Sequence, residues 1–192
     1  MEELRLAEQV AVLARQVGIE TALIGATALA CHRYVRATED VDLGASITDP
    51  FKAFGELETA VRAAGLKIRV VLPDQEDSLG GVARVWERED EDDEPIEPVE
   101  LVNFWNPLRQ RRSPATAAIR NAEPVESTAL RCVRLADLIA LKCDAGGRHD
   151  LADVVEVLKQ NPDADREEIR ARCKAYELEM IDQLIAEADA SR

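Results

Sequence analysis

Two aspartates one residue apart, in Asp40-Val41-Asp42-Leu43, constrain this chain more than any other stretch. On a strand, side chains alternate between faces, so Asp40 and Asp42 project from one face while Val41 and Leu43 enter the core. Two carboxylates on one face repel each other and cost stability unless a cation sits between them. Hard divalent ions such as magnesium take this kind of oxygen set. A D-x-D step alone is common on solvated strands, so its surroundings decide. Upstream, Thr21-Ala22-Leu23-Ile24 reads as a short apolar strand, Gly25-Ala26 as a turn, and residues 27–33 as a short buried helix. Glycine at such a turn lets backbone N–H groups approach phosphate oxygens, and a helix start favours negative charge.

Elsewhere the pattern alternates strands and helices, then turns helical. Leu4, Leu6, Val10, Leu13, Ala14 and Val17 recur at helical spacing, with Gly18 as a stop. Residues 51–64 predict a helix with Pro50 at its mouth and Gly65 at its end. Strands are expected at 66–72, 80–87 and 99–105, and helices at about 107–120, 135–145, 151–159, 165–176 and 178–190. Residues 88–98 are nearly all charge and turn residues, which predicts a solvated, mobile loop. The outline is an α/β core over 1–106 and a helical region over 107–192, packed as one unit.

The chain has 192 residues and a net charge of −14, from 38 acidic and 24 basic side chains, which argues against coating nucleic acid by phosphate neutralisation. The charge is uneven: 87–100 is dense in acid, while Arg109, Arg111, Arg112, Arg120, Arg131 and Arg134 form a basic stretch that could build a local groove for an anionic substrate. No apolar run approaches the roughly 18–20 residues of a membrane span. The start, Met1-Glu2-Glu3-Leu4-Arg5, is acidic and amphipathic and does not read as a secretory signal, so a cytoplasmic location is expected. Cys31, Cys132, Cys143 and Cys173 never form a C-x-x-C pair and read as small buried apolar residues; pairing them with His32 or His149 fits no zinc spacing. Trp86 and Trp105 read as packing residues.

The order of strand, glycine turn, helix, basic-threonine step and paired carboxylates resembles the minimal nucleotidyltransferase superfamily, including the AbiEii-like and MenT-like toxins of bacterial toxin–antitoxin systems. The signature stands here as Ile24-Gly25-Ala26 followed by Asp40-Val41-Asp42-Leu43, and the R-x-T-x-D-x-D form from Arg36 to Asp42 looks like the AbiEii-like branch. A second match is Ala136-Asp137-Leu138-Ile139-Ala140-Leu141-Lys142, followed by Ala145, Arg148, Asp150 and Asp153.

The resemblance implies a nucleotidyltransferase fold, a small mixed sheet flanked by helices. It implies an enzyme that moves a nucleoside monophosphate from a nucleoside triphosphate to a hydroxyl on RNA, such as a tRNA end, or on protein. Magnesium or manganese would be bound by Asp40, Asp42 and a third carboxylate, for which Glu100 is the candidate and Glu97 the fallback. Gly25 and Ala26 would receive the triphosphate, Lys142 would neutralise its charge, and Arg36, Thr38, Arg148 and Asp150 would assist. An antitoxin would be the partner. Ala26 stands where serine or a second glycine is usual, losing a hydroxyl but keeping the backbone N–H. Glu100 stands where aspartate is commoner. For Lys142 the competing reading is a solvated lysine on an amphipathic helix, and for Asp150 a simple helix-start carboxylate. The alternative for the whole chain is a module of the same fold that binds nucleotide or a partner without turnover. Glu100 separates the two: facing away from Asp40 and Asp42 would favour the module. A small-polyol acceptor, as in aminoglycoside modification, draws support only from the acidic surface.

Overall fold

A computed structural model describes residues 4–38, 40–109 and 111–190. The reading of Met1, Glu2 and Glu3 therefore lies outside the described residues. In chain order the elements are α1 (Arg5–Gln16), β1 (Thr21–Leu23), α2 (Gly25–Cys31), β2 (Val41–Ala45), α3 (Pro50–Ala63), β3 (Lys67–Val71), β4 (Val82–Trp86), β5 (Arg88–Glu89), β6 (Pro95–Ile96) and β7 (Val99–Asn103). Then follow α4 (Ala115–Asn121), β8 (Glu123–Pro124), β9 (Arg131–Cys132), α5 (Leu135–Ala145), α6 (Arg148–Gln160), α7 (Arg166–Lys174) and α8 (Ile181–Ala190).

Local chemistry sets these limits. α1 buries Ala7, Val10, Ala11 and Ala14, one stripe of a 3.6-residue period, and Gly18 turns the chain with φ +79°. Asp49 caps α3 by accepting from the Lys52 N–H, with Pro50 opening the helix. Asp165 caps α7 through the Glu167 and Glu168 N–H groups.

Seven strands form one mixed sheet in the order β3-β4-β7-β2-β1-β9-β8. β7 and β2 run parallel, as do β1 and β9, while the other neighbours are antiparallel. Ile68, Ala83, Val85, Leu43, Ala45, Val99 and Leu101 are buried in alternation along these strands. α1 packs against β1, β2 and β7, and α3 against β3. Asn103, fully buried at the end of β7, knits the loops at that edge: its amide donates to the carbonyls of Ile47, Gly80 and Trp105, and its Oδ1 accepts from Ile47 and Trp105.

Three expectations need correction. The 88–98 segment is not only a loop: β5 and β6 pair as a small antiparallel hairpin, Arg88 opposite Ile96, with Asp90 Oδ1 accepting from the Asp92 and Glu94 amides in the turn. The 107–120 helix shrinks to 115–121, because Pro114 occupies the helix start and the Asn106 side chain holds the preceding turn through the Leu108 N–H and the carbonyls of Asp74 and Asp77. The second half is not purely helical, since β9 enters the sheet beside β1, Leu23 opposite Cys132.

Candidate functional site

The parallel pairing of β2 and β7 places Asp42 directly opposite Glu100. Asp40 stands just before β2, two residues from Asp42 and on the same side of the alternation. One carboxylate oxygen from each of Asp40, Asp42 and Glu100 lies within 4.8 Å of the others. All three are half-buried. The Thr38 hydroxyl donates to Asp40 Oδ1 at 2.9 Å and thereby orients that carboxylate. Glu100 is held on its other flank by Arg84, opposite it on β4, whose Nε donates to Oε1 at 2.7 Å. Glu100 faces the aspartate pair. Glu97 lies exposed with φ +48° and an ion pair to Arg88, away from this cluster.

Crowding leaves a signature on Asp42. Its carboxyl is pushed up to about 6, first by burial, then by the charges of Asp40 and Glu100, with Lys142 and Arg36 pulling weakly the other way. Three acidic oxygens packed with too little positive charge are what an oxygen-ligated divalent cation would relieve, and the donor set suits magnesium or manganese.

Gly25 could be no other residue. It has φ +57°, and a Cβ there would meet Asp42 Oδ2 at 2.1 Å. α2 thus starts with its backbone pressed on the acidic cluster. The Gly25, Ala26 and Thr27 amides belong to its first turn, where no intrahelical acceptor exists. Ala26 itself is buried, and its methyl points into the protein. Gly25→Ala is expected to cost about 1–3 kcal/mol through strain and clash. Thermal melting should show the loss, and a magnesium titration should show weakened binding; a variant with native values for both would refute this packing account.

Lys142 is not the solvated lysine that its helix pattern also allowed. It is 5% exposed on α5, with Nζ 3.0 Å from Asp150 Oδ1 and 2.8 Å from Asp153 Oδ2. Arg36 Nε reaches the same Asp153 oxygen at 3.3 Å. Neither nitrogen aligns with that oxygen as a hydrogen bond, so charge rather than directional bonding holds the trio. Asp153 is the residue whose importance the sequence understated. It ties α5, α6 and the segment before β2 together, a role that its place in the second sequence match and its i, i+3 spacing from Asp150 do not spell out. Arg148 begins α6 and is exposed, outside the Lys142–Asp153–Arg36 set.

The basic stretch does not form one groove. Arg111 pairs with Asp144, Arg131 with Glu20, and Arg134 with Glu123 and Glu168, while Arg112 lies over the Tyr176 ring. Arg111, Arg131 and Arg134 are thus neutralised by local carboxylates, and Arg109 donates to the Glu76 carbonyl instead. Trp86 packs as expected, 5% exposed with its indole N–H on Glu89, whereas Trp105 is 38% exposed and is not a core residue. Cys31 likewise departs from the buried-cysteine expectation and is exposed.

No curated protein matched the sequence. Among solved structures, a nucleotidyltransferase-like antigen from Paracoccidioides brasiliensis aligns with a TM-score of 0.54 at 16% identity, over 99% of this chain and 94% of that one. The aminoglycoside enzyme ANT(2")-Ia, solved with adenylyl-2"-tobramycin, aligns at 0.46 and 17% identity, over 100% of this chain and 99% of that one. A nucleotidyltransferase structure from H. pylori aligns at 0.45 and 17%, over 95% of this chain and 78% of that one. The α/β fold is that of the nucleotidyltransferases. The family described as nucleotidyl transferase AbiEii toxin, type IV toxin–antitoxin system, matches residues 11–191. With that match spanning nearly its whole length, and with its strand-borne acidic cluster beside a glycine turn, the chain belongs to the AbiEii nucleotidyl transferase toxin family.

Proposed function

We propose that this chain is a metal-dependent nucleotidyltransferase that moves a nucleoside monophosphate from a nucleoside triphosphate to a hydroxyl on RNA or protein, as the toxin of a pair whose partner is a type IV antitoxin. The convergence of Asp40, Asp42 and Glu100 from two neighbouring parallel strands carries this reading. Those three residues would hold magnesium or manganese, which when bound lowers the pKa of a coordinated hydroxyl and offsets charge on the phosphates.

The chain's own part is positioning and charge. Thr38 fixes the Asp40 carboxylate, and Arg84 fixes Glu100. Gly25 and Ala26 offer backbone amides to the triphosphate at the start of α2, next to the acidic cluster. Lys142 and Arg36 supply positive charge behind Asp42, with Asp150 and Asp153 keeping Lys142 in place. A substrate oxygen held in line with the α-phosphate then displaces pyrophosphate, and most of the acceleration comes from orientation and electrostatics. The module without turnover is less well supported, because Glu100 faces the aspartate pair.

Calorimetry with nucleoside triphosphate, with and without magnesium, tests the reading. Binding should require the ion and vanish in Asp40→Ala/Asp42→Ala. Pyrophosphate should then be released when RNA or protein acceptors are supplied. Triphosphate binding that is indifferent to both the ion and the aspartates would defeat the proposal.

A further inference from the structure

Gly44 shares a face of β2 with Asp42 and stands about 7 Å further along the strand, a gap that a ribose can bridge. A Cβ at Gly44 would meet Ile24 Cγ2 at 2.9 Å and Phe104 Cε2 at 3.2 Å, so those two side chains lie directly over it. Phe104 continues the pairing of β7 with β2 by donating its N–H to the Ala45 carbonyl at 3.0 Å. Its half-buried side chain forms one wall of a cleft that is also lined by Leu79, Arg111, Ser113, Leu141 and Asp144. The cleft thus lies on the same face of the sheet as the acidic cluster, one step along β2.

α5 serves both places. Leu141 and Asp144, three residues apart, turn to the cleft, while Lys142 carries its ammonium to Asp150 and Asp153. Arg111 Nη2 donates to Asp144 Oδ1 at 2.7 Å, and the Ser113 hydroxyl donates to Oδ2 at 3.2 Å. These bonds fix a carboxylate whose side chain is 15% exposed. They use one acceptor position on each oxygen and leave the second of each available. Arg111, with its side chain 53% exposed, keeps further N–H donors beside that carboxylate. A fixed acceptor, an adjacent donor and an aromatic wall together suit a planar heterocycle with a polar edge.

We propose that this cleft receives the nucleobase of the triphosphate and selects bases that carry an exocyclic amino group. Asp144 accepts from the amino group, Arg111 donates to the ring nitrogen beside it, and Phe104 packs on the ring. A keto group in the same place would set two acceptors against each other and leave both unpaired. The inference rests on the triphosphate binding proposed for the acidic cluster, and it names the residues that choose among nucleotides.

Calorimetry with magnesium tests it on matched pairs: cytidine against uridine triphosphate, and adenosine and guanosine against inosine triphosphate. The tightest binder should carry the amino group and exceed its keto counterpart by at least about tenfold. Asp144→Asn should bring that pair within about threefold, since an amide nitrogen can donate to a keto oxygen. Phe104→Leu should weaken every nucleotide. Magnesium tripolyphosphate, which has no base, should bind the native chain and both variants alike, and so shows that each variant keeps its fold and phosphate site. Equal affinities within every pair, tighter binding of the keto member, or an unchanged ratio in Asp144→Asn would overturn the inference while leaving the metal-site reading intact. Loss of tripolyphosphate together with the nucleotides in both variants would overturn it too. If the native chain bound neither nucleotides nor tripolyphosphate with magnesium, the metal-site reading would fall first and this inference with it.

Discussion

Replacing Asp42 with asparagine is expected to raise the melting temperature of the metal-free chain while abolishing the magnesium-dependent nucleotide binding proposed for it. In the folded chain Asp42 titrates at about 6, against 3.8 for a free carboxyl. A carboxyl raised on folding binds more protons folded than unfolded across that window, so the chain loses stability as pH rises from 4 to 6. Above 6 the full cost remains. It amounts to about 2 kcal/mol once solvent screening at a half-buried site is allowed for. Asparagine keeps the shape beside Gly25 and removes the charge. In EDTA at pH 7.5 it should therefore melt about 4–8 °C higher, an advantage that shrinks toward nothing as the pH is lowered to 4. Saturating magnesium and triphosphate should stabilise the native chain alone. A lower melting point for Asp42→Asn in EDTA at pH 7.5 would show that the aspartate is already compensated by the protein.

Lys142→Met should cost about 3–5 kcal/mol, lowering the melting temperature by about 10 °C or more, because it leaves Asp153 buried with only the lateral charge of Arg36. Lys142→Met/Asp153→Leu should recover most of that loss, since an apolar pair replaces a buried ion pair at little net cost. The double variant should still fail to bind triphosphate with magnesium, as Arg36 has lost its anchor and Asp42 its nearby cation. A chain that melts like the native one after Lys142→Met would mean that Lys142 reaches solvent and is not held by Asp153. Full nucleotide binding by the stable double variant would remove Lys142 from the site.

What the sequence made legible was whatever depends on neighbours along the chain. The Asp40–Asp42 step, the glycine before α2 and the full span of α5 all follow from local periodicity. Glu100 was legible for a related reason, as the one charge in an otherwise apolar strand. Strands of two residues, such as β5, β6, β8 and β9, are too short for alternation to register, and the sheet forms them by supplying partners. Pro114 moved the start of α4, but the turn before it rests on Asn106 bonds to residues about thirty positions away, which no local window contains. Arg84 on Glu100 depends on register between two strands, and the burial of Lys142 on how α6 lies across α5. The arginines from Arg109 to Arg134 looked collective in one dimension and proved to be separate in three.

The register of β2 against β7 also governs when the site can come into being. Asp42 and Glu100 meet across 58 positions of chain, and Arg36 meets Asp153 across 117. Local folding brings none of these pairs together, and loops of that length close late. A one-residue slip in the pairing would turn Glu100 to the opposite face. During synthesis, therefore, the emerging chain holds no assembled acidic cluster until β7 is made, and no anchored Lys142 until α6 is made. The acidic cluster and the cations that flank it are thus products of long-range closure, assembled only once segments far apart along the chain have both been made.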